Sequence, residues 1–296
     1  MAVAARPRRS ILYMPGSNVR ALEKGRGLPA DGLILDLEDA VAPEAKKEAR
    51  NNVAAAMREG GYGRRETLIR VNGLDTPWGR EDVAAAATMG ARGVLLPKVE
   101  SADMVRKADA ILSANGASDD LAIWCMMETP RGVLHAEEIA DAPRMGGFVM
   151  GTSDLAKDLH CAHTRERLPM ITSLGLCMLA ARAAGIVCLD GVYLDISDDE
   201  GFAHSCRQGA ELGFDGKTLI HPKTIAACNE AFTPSEEEVE WSRGIIRAHA
   251  EAEAGGSGVV VVDGRLIENL HVENAKRLVA MAEQIAAMEA DARGRL

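Results

Sequence analysis

Eight short apolar runs, each followed by a stretch rich in alanine and charge, set the strongest limit on what this chain can become. The runs are "SILYMPG" (10–16), "GLILDLED" (32–39), "TLIRVN" (67–72), "GVLLPKVE" (93–100), "LAIWCMMET" (121–129), "GFVMGTSD" (147–154), "CLDGVYLD" (188–195) and "GKTLIHPK" (216–223). Continuous rather than alternating apolarity is what strands buried on both faces of a parallel sheet require. Between them, "EAKKEARNNVAAAMREG", "EDVAAAATMGA" and "ADMVRKADAILSANG" are long enough for right-handed helical crossovers. About eight such units predict an α/β fold, a (β/α)8 TIM barrel. A doubly wound open sheet is the alternative, but no G-x-G-x-x-G follows the first strand.

The barrel pattern ends near residue 232. Beyond it the spacing predicts a long helix in "TPSEEEVEWSRGIIRAHAEAEA", a strand, turn and short strand in "GGSGVVVVDGRLIEN", and a last helix over 271–293. The chain therefore divides into a barrel over 1–232 and a C-terminal extension over 233–296. A length of 296 residues suits one barrel with an appendage better than two independent domains.

A net charge of −10 excludes broad electrostatic adhesion to nucleic acid or acidic membranes, although a local basic pocket remains compatible with a phosphorylated ligand. No run is long enough to span a bilayer, and the basic start "MAVAARPRRS" lacks an apolar signal core. The expected location is the cytoplasm. The six cysteines show no C-x-x-C spacing and sit mostly among aliphatics, which predicts reduced, packed thiols.

Barrel active sites form at the carboxyl ends of the strands, and polar groups collect there in this sequence. The second run gives Asp36, Glu38 and Asp39; the third Arg70 and Asn72; the fourth Lys98; the fifth Glu128; the sixth Ser153 and Asp154. Two-residue spacing puts Arg70 and Asn72 on one side of their strand, and Asp36 and Glu38 on one side of theirs. Each has a bland reading, since charges often flank strands and Arg70 can simply pair with Asp36 or Glu38 in a buried network. Their coincidence on five successive strands points to a site.

Glu128 ends "IWCMMETPRG", where Thr129 can cap the next helix and Pro130 suits its first turn. Glu128 and Asp154, with few other ligands near in sequence, suit Mg²⁺, which takes one or two protein carboxylates and keeps waters. Zinc would need histidine or thiolate. The stretch "HCAH" offers His160 and His163 at helical spacing but no third ligand, and reads equally as a helix surface or core pair.

Together "RSILYMPG", "DGLILDLEDAVAPEAKKEAR", "IRVNG", "GVLLPKVE", "METPRG", "GTSDLAKDL", "GFDGKTLIHPKTI" and "DGRLIE" resemble the citrate lyase β-subunit-like acyl-CoA lyases of the HpcH/HpaI aldolase superfamily. That group includes malyl-CoA and citramalyl-CoA lyases. The resemblance runs over nearly the whole chain. It implies a barrel with a C-terminal extension, homotrimers or homohexamers, and Mg²⁺-dependent cleavage or formation of a carbon–carbon bond beside a CoA thioester. Residue by residue, it implies that Glu128 and Asp154 bind the metal and that Arg70 binds substrate and neutralises the thioester oxygen. It also implies that Glu38 orders Arg70 together with Asp36 and Asp39, and that Lys24, Lys46 and Arg50 contact CoA phosphates.

One motif departs from the pattern. The family commonly closes D-G-K-M-I-D with an aspartate that reaches a neighbouring subunit's site, whereas this chain reads "DGRLIE" and offers Glu268 as the acid or base, with Asp263 at the turn. The expected activity is a lyase acting on malyl-CoA, β-methylmalyl-CoA or citramalyl-CoA. The alternatives are a malyl-CoA thioesterase and a citrate lyase β subunit working on an acyl-carrier protein.

Overall fold

The computed structural model describes residues 6–254, 260–262 and 264–293. In chain order the first compact unit, Arg8–Phe232, contains β1 (Ser10–Pro15), α1 (Val19–Gly25), β2 (Gly32–Asp36), α2 (Lys46–Glu59), β3 (Glu66–Arg70), α3 (Gly79–Ala86), β4 (Gly93–Leu96) and α4 (Ala102–Ala114). It continues with β5 (Ala122–Met127), α5 (Pro130–Leu134), α6 (Ala136–Ala140), β6 (Met145–Met150), α7 (Thr152–Asp158), α8 (Ile171–Ala184), β7 (Val187–Asp190), α9 (Asp199–Glu211), β8 (Gly216–Leu219) and α10 (Ile225–Ala231). All eight strands run parallel in sequential order, and β1 pairs with both β2 and β8, closing the barrel.

Strand alternation divides the apolar residues into two layers. Ile11, Ile34, Leu68, Leu95, Val149 and Leu189 point into the barrel and pack around Trp124 and Met126. Their neighbours, such as Leu33, Leu35 and Ile69, face the helices. Trp124 fills the amino-terminal end, and Gly93, Gly146 and Gly147 on the flanking strands leave the space its indole occupies. The Arg8 guanidinium lies 5.6 Å over that ring and bonds Glu66 at 2.7 Å. With that end plugged, the opposite end is left for chemistry.

Every predicted strand is present, but most stop short of the predicted carboxyl end: β2 at Asp36, β4 at Leu96, β5 at Met127. The residues that follow are polar and leave the ladder to shape loops over the mouth. The predicted capping at Thr129 is found, with its Oγ1 accepting from the Gly132 N–H at 3.0 Å and Pro130 opening α5.

The second unit comprises the chain from Thr233 on, with the residues before Arg8. It contains α11 (Glu236–Ala254), the antiparallel hairpin of β9 (Val260–Val262) and β10 (Arg265–Ile267), and α12 (Asn269–Arg293). Its small core joins Ile245, Ile267, Val272 and Ala275, and Arg265 stacks 5.6 Å over Trp241. Asp263 and the glycine-rich 255–258 lie outside the described residues.

Among the described residues no helix is long and apolar enough to cross a membrane. The six cysteines are unbonded, and all but Cys161 are buried. His160 and His163 are not helical neighbours: α7 ends at Asp158, and His160 takes a positive φ of 53° in the loop beyond.

Candidate active site

Asp36 and Arg70 close adjacent strands in register, and their side chains meet at the mouth. Arg70 donates from Nε to Asp36 Oδ1 and from Nη2 to Oδ2, each at 2.7 Å. Asp36 also accepts the N–H groups of Glu38 (2.8 Å) and Ala40 (3.1 Å), so one carboxylate shapes the β2–α2 loop and aims the guanidinium. The remaining nitrogen, Nη1, lies 3.0 Å from Glu38 and 3.4 Å from Asp39. Beneath, the Tyr13 ring supports the guanidinium at 4.8 Å. Burial works against the Arg70 charge, but the bonds and charge of Asp36 outweigh it and hold Arg70 above the usual arginine range. It is a permanent, oriented cation.

Lys98, just past β4, connects the remaining acids. Its backbone N–H donates to Glu128 Oε1 at 2.8 Å, and its ammonium lies 3.3 Å from Glu38 and 3.4 Å from Asp154. Partial burial draws its pKa down, while Glu38, Glu128 and Asp154 raise it further, above the usual lysine range. Glu128 is only 3% exposed, and burial, aided by the charges of Glu38 and Asp154, pushes its carboxyl up to about 7 against the pull of Lys98. Burial and Asp39 likewise raise Glu38, with Arg70 opposing. Buried acids pushed up beside a fixed cation mark this mouth as the candidate functional site.

The donor set fits Mg²⁺. Glu128 and Asp154 offer hard oxygen donors, and Gly151 leaves the space beside Glu128 that a methyl group would fill by collision with its Cβ and Oε2. Asp154 is carried on the first turn of α7, with its side chain 29% exposed toward arriving ligand. Among the described residues no group of three or more His, Cys, Asp or Glu side chains is arranged to hold a metal. Two carboxylates and no histidine or thiolate would suit Mg²⁺, which takes few protein ligands, better than a structural zinc.

Arg70, Glu38, Glu128 and Asp154 are thus linked at the mouth, by direct contact or through Lys98. Three predicted phosphate contacts are not. The Lys46 ammonium is buried, donating to the carbonyls of Leu37 (2.9 Å) and Glu38 (2.7 Å) and lying 5.5 Å from the Trp78 ring. Arg50 spends Nε on Asp82 (2.6 Å) and Nη1 on Glu81 (2.7 Å), and its buried Nη2 has no hydrogen-bond partner among the described residues. Lys24 is exposed in the last turn of α1, one residue before Gly25, whose carbonyl accepts from Arg65 at the start of β3. That places its backbone toward the plugged end. Lys46 braces the loop after β2 and Arg50 ties α2 to α3; none of the three is presented as a free cation at the mouth.

Asn72 also turns away from its predicted pocket role: its amide donates to Asp82 (2.6 Å) and the Leu37 carbonyl (2.9 Å), tying α3 to the loop after β2. Glu268 sits in the second unit, where its N–H donates to His271 Nδ1 at 3.0 Å and its carbonyl accepts the N–H groups of His271 and Val272 in the first turn of α12, leaving the carboxylate exposed. Sequence reasoning assigned no part to Tyr13 or Gly151 and gave Lys98 no role. The two-residue spacing of Ile11 and Tyr13 was the available signal for the first.

The profile of the HpcH/HpaI aldolase/citrate lyase family matches residues 9–222. The chain belongs to that family. It is 50% identical over 291 residues to a (3S)-malyl-CoA thioesterase of Cereibacter sphaeroides, covering 98% of this chain and 100% of that one. An L-malyl-CoA/beta-methylmalyl-CoA lyase of the same species is 37% identical over 311 residues, covering 97% and 98%. Among solved structures, CitE of Mycobacterium tuberculosis in complex with magnesium, acetoacetate and coenzyme A superposes with a TM-score of 0.76 at 28% identity, covering 95% of this chain and 100% of that one. A citrate lyase of Burkholderia xenovorans, at 17% identity and a TM-score of 0.81 over 97% and 96%, shares the fold.

These relatives correct the expected activity. The reading as a carbon–carbon lyase is overturned by full-length relatives at 50% identity that are thioesterases, against 37% for the lyases. The physical reason is that the recognised motifs mark a mouth with one arginine and two carboxylates, which the resemblance reads as a metal-assisted thioester pocket. Both reactions draw on that pocket, and nothing in the motifs says whether water enters it.

Proposed function

We propose that this chain hydrolyses the thioester of (3S)-malyl-CoA or a close hydroxyacyl-CoA, giving the free hydroxy acid and CoA. The observation that carries the reading is the 50% identity, end to end, with the thioesterase relatives. In hydrolysis water adds to the thioester carbonyl, negative charge develops on its oxygen, the carbon–sulfur bond breaks, and the departing sulfur gains a proton.

Glu128 and Asp154 hold Mg²⁺ in this reading. When bound, it supplies Lewis-acid polarisation of substrate oxygens. Arg70 neutralises charge developing on the carbonyl oxygen, and it does so without reorganising because Asp36 and Tyr13 already fix its plane. Glu38, whose carboxyl burial raises above the ordinary glutamate value, takes a proton from the attacking water. The extension carries Glu268 to the mouth of a neighbouring copy in a homotrimer or homohexamer, where it returns a proton to the leaving thiolate.

The test is to supply purified protein with (3S)-malyl-CoA and Mg²⁺ and to follow free thiol, malate, acetyl-CoA and glyoxylate separately. Thiol and malate in equal amounts are expected. Acetyl-CoA and glyoxylate without stoichiometric thiol would refute hydrolysis.

A further inference from the structure

Lys98 is placed by two independent features. Its backbone adopts a φ of +48°, a left-handed conformation that residues with a Cβ rarely take, and this turn aims its N–H at Glu128 Oε1. Its side chain returns over the same acids, with the ammonium 3.3 Å from Glu38 and 3.4 Å from Asp154. A strained backbone at a strand end, spent on one metal-binding carboxylate while the side chain of the same residue covers the other, is not needed to close a barrel. Solvent reaches this ammonium, since the side chain is 47% exposed and can swing out.

We infer that Lys98 is a positioning residue that acts as a tethered counter-cation: its N–H fixes Glu128, and its ammonium holds Asp154 and Glu38 together until Mg²⁺ displaces it from Asp154. A monovalent cation attached to the chain neutralises the cleft at no cost in captured ions. It also competes with the incoming metal, because two positive groups cannot share one carboxylate oxygen without repulsion. The expected consequence is a metal affinity set below what the carboxylates alone would give, so that metal is held firmly only when an anionic substrate adds its own oxygens.

The inference rests on the reading of Glu128 and Asp154 as Mg²⁺ ligands. The test contains no thioester, so its failure is distinguishable from a failure of the hydrolysis reading. Chelator-treated full-length protein is titrated with MgCl₂ by calorimetry. Lys98→Met should bind Mg²⁺ about tenfold more tightly than the unaltered chain, or tighter still, since the competing charge is gone. Lys98→Arg should keep the unaltered affinity, and Asp154→Asn should lose the titration. Lys98→Gly, which adopts a positive φ without strain, should behave as Lys98→Met and serves should the methionine variant fold poorly. Without metal, Lys98→Met should melt below the unaltered protein, and Mg²⁺ should raise its melting temperature by more. Equal or weaker Mg²⁺ binding by the folded Lys98→Met and Lys98→Gly proteins would overturn the inference, as would unaltered affinity in Asp154→Asn.

Discussion

Arg70 Nε and Nη2 meet both oxygens of Asp36 at 2.7 Å, across a strand pair whose register sets the two residues side by side. The pair is scaffold and, in the proposed hydrolysis, machinery as well. Asp36 has no exposed surface and Arg70 is 7% exposed, so each is the other's main compensation for lost hydration.

Asp36→Asn should therefore destabilise the fold by about 3–5 kcal/mol, the cost of leaving a buried charge without its partner. Denaturant melts measure it. Arg70→Lys keeps the charge but cannot reproduce two parallel bonds while stacking on Tyr13, so thiol release from malyl-CoA should fall at least a hundredfold. A mild loss in both Arg70→Lys and Arg70→Ala would reduce Arg70 to scaffold alone.

Glu128 links pH to metal and to stability. Its carboxyl is pushed up to about 7 when folded, against about 4.3 in an unfolded chain. Across that window the folded form binds more protons, so this group's contribution to metal-free stability is full below about pH 4 and is lost as pH rises through 7. Metal-free Glu128→Gln should then melt several degrees higher than the unaltered protein at pH 8 and show no added stabilisation by Mg²⁺. Mg²⁺ affinity of the unaltered protein should fall as pH drops below 7, because the metal needs the carboxylate. Calorimetry at pH 6 and 8 checks the slope, and a flat profile would contradict it.

Gly151 gives a sharper test of the pocket. A methyl group there collides with the Glu128 Cβ and Oε2, while the glycine itself has no positive φ that would independently exclude alanine. Gly151→Ala should displace Glu128 and weaken Mg²⁺ binding at least tenfold in a folded protein. Unchanged binding would mean that Glu128 is not held where the metal sits.

Much of this was legible in the chain because burial on both faces makes each barrel strand a continuous apolar run, as in "GLILD" of β2, whose five residues are all buried. The same simplicity misplaced the strand ends. Glu38 and Glu128 continue the inward alternation of Ile34 and Met126, yet the ladder has already stopped, and the left-handed turn at Lys98, which follows the outward-facing Leu96 by two, leaves no mark in residue type. The resemblance offered Lys46 and Arg50 as phosphate contacts, and their actual partners, the Leu37 carbonyl and Asp82, are fixed by tertiary packing that the sequence does not display. The choice between lyase and hydrolase was hidden for a different reason. It depends on where a water can stand, which no single residue type reports.

The extension is the part whose role is tested only by assembly. Glu268 follows β10, with its backbone bonded into the start of α12 and its carboxylate exposed, so its position is defined by the hairpin and not by any bond of its side chain among those described. If it serves a neighbouring barrel, Glu268→Ala and Asp154→Asn damage different halves of one composite site. Each variant alone should lose at least a hundredfold in thiol release. Unfolded together and reassembled, the two should form oligomers in which some sites join an intact metal pocket from one parent to an intact Glu268 from the other. About a quarter of sites should recover in a random one-to-one mixture, since each site draws its barrel and its tail independently. Differential tags verify that mixed oligomers form. Mixed oligomers with no recovered activity would place Glu268 at its own barrel or outside the chemistry.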